Sequence, residues 1–547
     1  MSYRFFFYAV ITVIFTSLNV YSQVTTQWRS VYNGSANDTD IVTSMTVDNQ
    51  GNVYVTGFSK GDLTGRDIAT IKYNTSGEQV WAARYNDDNS NKDDAANAIF
   101  VDGSGNVYVT GYSTGLTSFK DFITIKYSSS GNPLWISKYN GKGNDDDLSY
   151  AVAVDGLGNV IVTGYSVGLT SSEDYLTIKY NSAGAEQWIN FYDNPEMDDI
   201  DIANSMILDG SGNIYVTGYS IGNGSAEDYA TVKYNSAGNE LWVRRYNGTA
   251  NDYDITSGIA LDGSGNIIVT GYSVGIGSAE DYATVKYDPQ GNSLWVNRYN
   301  GSSNNYDISA SVASDNLGNV YVTGYSYDDI SSEDYATVKY SPDGQQEWVS
   351  KYNGTGDDFD IATSVKTDLK GDIYVTGYSY DFDTKENYAT VKYNSSGAEQ
   401  WTEIFNGVSN GSDIASSLFS DVNDNIYVTG YSYDGSNSVD YVTFKYSQTV
   451  GINQISSSVA DGFELKQNYP NPFNPVTILE FAISEPGFVS LKIYNELGSE
   501  ISTLVSSQLN RGTYKYNFDA SNFTSGIYFY KLETNNSSAT KKMLLIK

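Results

Sequence analysis

Short runs of alternating apolar and polar positions, broken by Gly, Asn, Asp and Ser, fill the chain from about residue 28 to residue 446. Residues 242–294 show the pattern once, as WVRRY, DITSGIALD, GNIIVTGYS and DYATVKY in turn. Each run is short and rich in β-branched or aromatic residues, which predicts four strands and no helix. In GNVYVTGYS (105–113), Val107, Val109 and Gly111 share one face, and Tyr108, Thr110 and Tyr112 share the other. Both faces are largely apolar or aromatic, as a strand buried between two sheets requires. Gly111 marks a point where backbone or a ring must come close.

The pattern repeats. The Gly of the VTG run falls at 57, 111, 164, 218, 271, 324, 377 and 430, at intervals of 53 or 54 residues. All eight tryptophans keep the same beat, at 28, 81, 135, 188, 242, 295, 348 and 401. A period this long predicts a propeller or a solenoid, and four strands per unit is a propeller blade. Eight whole units fit between residues 28 and 446. The expected fold is therefore all-β: an eight-bladed β-propeller with four strands per ~53-residue blade. A seven-bladed ring with one unit outside it is the alternative.

Connection lengths then assign the faces. Turns such as DGSGN and NSAGNE are short and carry Gly, fit for tight reversals. Connections such as NGTANDY and VGIGSAE are longer and more varied. Strands of a meander alternate direction, so the long loops leave from one end of every unit. A ligand site belongs on that end.

Composition narrows the chemistry. The 547 residues include no Cys and no His, which removes disulfides, thiolate nucleophiles, Ser-His-Asp triads and the usual zinc or haem sites. Net charge is −33, so nucleic acid and anionic membranes are poor partners. Residues 1–22, with Arg4 ahead of an apolar run and Ser22 ahead of Gln23, read as a secretory signal peptide. No later stretch is long and apolar enough for a transmembrane helix.

After residue 446 the beat stops. Residues 447–460 read as a polar linker, and residues 461–547 change character: four of the eight prolines lie there, with eight basic and eight acidic residues. Runs such as LKQNYPNPFNP, VSLKIYNELGSEI and GTYKYNFDASNFTSGIYFYKL predict a small antiparallel β-sandwich.

Two resemblances follow from these runs. The unit W…YNG…D-I-A…VDGSGNVYVTGYS…DYATVKYNSAG resembles the SBBP β-propeller repeat of secreted bacterial proteins. That family implies a propeller and carries no single activity or shared catalytic residues. Residues 461–547, with NPFNP and the closing KKMLLIK, resemble the type A sorting domain of the type IX secretion system. This implies export through the periplasm to the outer-membrane surface or release outside. It also implies the secretion machinery and its sortase as partners of 461–547.

Repeated residues are scaffold by default, because a site needs one copy. One Asp recurs at 40, 94, 147, 201, 254, 307, 360 and 413. It reads as a turn cap, with structural Ca²⁺ open but not predicted, because the full Ca²⁺-loop pattern is missing. A Lys recurs at 72, 126, 179, 233, 286, 339, 392 and 445, and reads as glue to a neighbouring strand. Departures from consensus are Pro195, Glu196, Met197, Arg66, Lys92, Lys120, Arg244, Arg245 and Arg298. Tyr327, Tyr380 and Tyr433, added after the VTGYS core in three consecutive units, are the candidate ligand-binding residues. No catalytic, cofactor or metal residue stands out. The functional expectation is a non-catalytic cell-surface or secreted binding or adhesion protein, its ligand a glycan or another surface protein. A carboxylate-based carbohydrate-active enzyme or a structural surface-layer component is the alternative.

Overall fold

The computed structural model describes residues 23–547 except 88–89, 170, 196–198, 330–331, 409, 436–437, 450–451, 457–461 and 521–522. The expected signal peptide, Glu196 and Met197 lie outside the described residues. The described residues form two compact units, residues 25–447 and residues 448–547. Among the described residues every regular element is a strand, and no helix is long and apolar enough to cross a membrane.

In the larger unit the described strands make eight four-stranded sheets, the first seven antiparallel throughout. The fourth sheet is representative: Asp201–Leu208, Ile214–Ile221, Glu227–Tyr234 and Glu240–Tyr246, side by side in that order. Sheets begin one strand later than the repeat written from its Trp. The Trp strand Glu240–Tyr246 closes the sheet that Asp201 opens. The strand Gln23–Tyr32, which holds Trp28, accordingly completes the eighth sheet beside Val439–Thr449.

Each apolar cluster straddles two consecutive sheets. Tyr175 and Tyr192 of the third sheet pack with Ala203, Ile214, Val216 and Val232 of the fourth. Tyr32, Tyr427 and Tyr441 of the eighth pack with Val42, Val53, Val55 and Ile71 of the first. Polar contacts cross the same junctions. The Tyr229 hydroxyl donates to the Ala283 carbonyl at 3.1 Å, and Tyr441, at the eighth-to-first junction, donates to Phe58 at 3.2 Å. Trp81 Nε1 donates to Ser129 O at 3.1 Å and Trp28 Nε1 to Thr75 O at 3.0 Å. The invariant beat of the tryptophans thus has a cause: from Trp28 to Trp348, seven indoles each tie their sheet to the next.

The VTG glycine is fixed by backbone. A Cβ on Gly218 would stand 1.9 Å from the Ile202 carbonyl oxygen, where the first strand bulges between Ala203 and Ser205. The turn glycine of NSAG has a second cause. Gly238 has φ +87°, and a Cβ there would meet the Trp188 ring at 2.8 Å.

The smaller unit has two four-stranded sheets. One orders Ile452–Ser456, Gly512–Asp519, Val476–Ile483 and Glu464–Leu465. The other orders Glu500–Leu509, Gly487–Tyr494, Gly526–Thr534 and Ser538–Leu545. One core serves both, with Leu479, Phe481, Leu491, Tyr530 and Met543 buried in it. Residues 447–460, read above as linker, are partly strand, since Ile452–Ser456 pairs with Gly512–Asp519.

Candidate functional site

The long connections do leave from one end of every sheet, where each first strand begins with the recurring Asp. That Asp is buried in all eight sheets and accepts backbone N–H groups from the loop before it. Gly141 N donates to Asp147 at 2.6 Å, Asn194 N to Asp201 at 2.7 Å and Asp87 N to Asp94 at 2.9 Å. A second Asp, at the start of the third strand, lies close by. In three sheets an Arg of the fourth strand holds it: Arg84–Asp67 at 2.7 Å, Arg245–Asp228 at 2.8 Å and Arg298–Asp281 at 2.7 Å. The same guanidinium donates to the serine of VTGYS in between, as Arg245 does to Ser220. Where Ile404 replaces the cation, Asn387 replaces the Asp, so the buried charge is removed on both sides at once. The departures Arg245 and Arg298 are therefore scaffold. Arg244 donates to Gly291 O, Lys92 donates to Gly115 O at 3.0 Å, and Lys120 pairs with Asp146 at 3.2 Å.

Burial pushes the Asp147, Asp201, Asp254 and Asp360 carboxyls up to about 6. The folded chain then keeps protons that the unfolded chain has shed. The stability these groups contribute is complete below the unfolded value of 3.8 and is lost as pH rises through about 6. The turn aspartates Asp102 and Asp209 act oppositely. Burial alone would raise them, but donors from the Asn106 and Asn213 side chains and backbones outweigh it and hold both low. Thermal unfolding across pH should show a melting temperature higher at about pH 5 than at about pH 7.5. A melting temperature that climbs steadily to neutral pH contradicts this reading.

Phe191 stands where five other sheets carry Arg or Lys, and there Asp174, Asp193 and Asp201 bring one oxygen each within 4.8 Å of one another. Three carboxylate oxygens fall short of the six to eight that Ca²⁺ takes, and Asp201 already caps the Asn194 loop.

The three candidate tyrosines are the last or next-to-last residues of the second strands of the sixth, seventh and eighth sheets, half-buried, at the long-loop end. Tyr327 faces Glu333 in register, and Tyr380 faces Glu386. Tyr380 also packs on Phe359 at 4.8 Å and Phe382 at 5.8 Å between ring centroids. Tyr433 faces Val439 and covers Gly411, leaving no room there for a Cβ.

The structure adds partners that sequence reasoning passed over. The tyrosine of VTGYS lies two residues before each of these positions, on the same sheet face. Tyr165, Tyr219, Tyr272, Tyr325 and Tyr378 are half-buried, and each shares its face with the Glu at the start of the third strand, its first or second residue: Glu173, Glu227, Glu280, Glu333 and Glu386. Burial pushes Tyr325 up to about 12, with Glu333 and Glu280 adding to the rise. Five consecutive sheets thus present an arc of tyrosines and glutamates. In the first two sheets the Glu position is Arg66 and Lys120, set over the rings of Phe58 and Tyr112 at 4.4 and 5.2 Å. The signal was the leading E of EDYATVKY, which reads as an ordinary solvated strand end in any one copy.

Comparison with known proteins agrees with the two parts of the chain. Residues 467–547 match the secretion system C-terminal sorting domain, and residues 30–64 and 80–120 match the beta-propeller repeat. The sorting domain directs export by type IX secretion to the outer-membrane surface or the extracellular space. An uncharacterized WD repeat-containing protein of Acanthamoeba polyphaga mimivirus is 22% identical over 426 residues, 62% of this chain and 29% of that protein. The chain therefore spans less than a third of that relative's length. Among solved structures, a fungal alcohol oxidase of the AA5 family in complex with copper is 11% identical, covering 97% of this chain and 100% of that one, with a TM-score of 0.37. Prolyl oligopeptidase B from Galerina marginata is 9% identical over 76% of this chain and 55% of that one, also at 0.37. These likenesses are too loose to bear on chemistry.

Proposed function

We propose that this exported chain of β-propeller repeats and a secretion sorting domain is a non-catalytic binding protein. Its eight sheets form a closed eight-bladed propeller whose long-loop end takes a glycan or a surface protein of neutral or basic character. Closure is supported by the first strand of the chain completing the eighth sheet and by Tyr441 donating to Phe58 across the eighth-to-first junction. Such a ring leaves no sheet edge open at its seam.

The observation that carries the binding reading is the arc of tyrosines and glutamates over the third to seventh sheets. Scaffold contacts in this chain are tight and buried. These rings and carboxylates are partly exposed at one rim instead. Aromatic faces with carboxylates beside them suit sugar rings and their hydroxyls, or the basic and aromatic side chains of a protein. The acids turn away polyanions.

A glycan array, and capture of neighbouring-cell surface proteins, should yield a ligand for the mature chain. The combined substitution Tyr327→Ala, Tyr380→Ala, Tyr433→Ala should weaken it by roughly 1–3 kcal/mol per stacked ring, by analogy with bases on aromatic side chains. The strands should stay folded, because the three residues lie at strand ends. Unchanged binding by the triple variant removes the tyrosines from the site. A mature chain that takes neither glycan nor protein contradicts the binding reading itself.

A further inference from the structure

The tight-turn end of the sheets is where the repeat would place least, yet one of its turns carries a pair of successive amide side chains that none of the other seven has. In four of the other seven units the residue after the turn Asp is Gly, in Gly103–Ser104, Gly156–Leu157, Gly210–Ser211 and Gly263–Ser264, and the remaining three carry Asn316–Leu317, Leu369–Lys370 and Val422–Asn423. The first unit has Asn49 and Gln50, two exposed amide side chains in succession. A cleft lies on each side of this turn. One, of about 330 Å³, lies against the second sheet and includes Asp102, Ser104 and Lys72. The other, of about 370 Å³, lies against the eighth and includes Asp421 and Lys445. Val47, Asp48, Asn49 and Gln50 line both.

The recurring lysines single out the same place. Six of the eight are engaged. Lys126, Lys179, Lys233, Lys286 and Lys339 donate to a turn carbonyl of the next sheet, at 2.7 to 3.2 Å. Lys392 pairs with Asp372 at 2.6 Å. Lys72 and Lys445, which flank the Asn49–Gln50 turn, lie over the rings of Tyr54 and Tyr427 and make no hydrogen bond or ion pair among the described residues. Burial lowers the Lys445 ammonium against the pull of Asp421.

The acids of these clefts are already saturated. Asp48 Oδ1 accepts Gln50 N and Asn52 N, both at 2.9 Å, and Oδ2 accepts Asn52 Nδ2 at 2.8 Å and the Tyr54 hydroxyl at 2.9 Å. Asp102 and Asp421 repeat the arrangement with their own turns. What remains open is a set of donors: two ammonium groups and two carboxamides. Donors left over call for an acceptor-rich ligand. The three acids nearby disfavour a multiply charged phosphate or sulfate and leave room for single carboxylates spaced by hydroxyls and ring oxygens.

We propose that the two clefts around Asn49 and Gln50 form a second ligand site, separate from the tyrosine arc, which binds a carboxylate-bearing glycan of the uronate type. Lys72 and Lys445 receive carboxylates, and the two carboxamides receive hydroxyl and ring oxygens.

Titration calorimetry of the mature chain with trigalacturonate, and with maltotriose as the neutral trisaccharide, tests this. Trigalacturonate should bind, and maltotriose should bind more weakly by about tenfold or more. The double substitution Asn49→Gly, Gln50→Ser converts the turn to the Gly-Ser version that three other units already fold. It should weaken trigalacturonate by about tenfold or more while leaving the melting temperature in place. Lys72→Met and Lys445→Met should each weaken it as well. Lys126→Met should not, and neither should the triple tyrosine variant, which separates this site from the long-loop one. The proposal is overturned if trigalacturonate shows no saturable binding, if maltotriose binds equally well, or if the Gly-Ser turn binds trigalacturonate unchanged.

Discussion

A chain cut after Thr449 should fold and then stay in the periplasm, with its surface-delivered fraction falling from nearly all to nearly none. The structure explains why destination changes and folding does not. Residues 25–447 and the C-terminal unit are separate compact units, and among the described residues the apolar core of the latter begins at Phe463 and Leu465. The cut belongs at Thr449 rather than at 461 because Ile452–Ser456 pairs with Gly512–Asp519 and would otherwise be left as an unpaired edge. The sorting domain match covers 467–547, so all of it is lost. Fractionation of cells making the full and cut chains, with proteolysis of intact cells as the surface readout, checks the outcome. Efficient surface delivery of the cut chain contradicts the assignment. Loss of the cut chain from every fraction would instead contradict the independence of the two units.

Much of this architecture was legible in the sequence because it is written eight times. The Trp beat and the VTG glycine give unit length and strand count, and alternation in GNVYVTGYS gives two buried faces. The glycine's role also followed from its position, although the clashing partner, the Ile202 carbonyl at a bulge in the case of Gly218, did not. What periodicity cannot supply is phase. A repeat reads the same from any starting strand, so the displacement of the Trp strand into the preceding sheet became visible only through pairing. Ile452–Ser456 escaped for a different reason: INQIS is short and polar enough to pass for linker, and its strand character comes from its neighbour. The candidate site was half legible. Tyr327 and Tyr380 stand out as departures, but the glutamates they face sit at repeated positions and look like background. Lys72 shares its sequence context with the engaged lysines, and only its surroundings set it apart, whereas Lys445 stands in the last unit just before the repeat ends.

The central claim is that eight sheets close on themselves, and one distance decides it. Sheets packed face to face lie about 10 Å apart, so an open stack would separate the first and eighth by roughly 70 Å. In the structure Thr75 of the first sheet and Val422 of the eighth line one cleft. Both are exposed, so labels there disturb little packing. The chain has no cysteine, so Thr75→Cys and Val422→Cys would carry the only two spin labels. Pulsed electron paramagnetic resonance on the doubly labelled mature chain should give a single narrow distance, well under half the open-stack value. A distribution centred near 70 Å, or one that is broad and shifts with protein concentration, would contradict the closed ring.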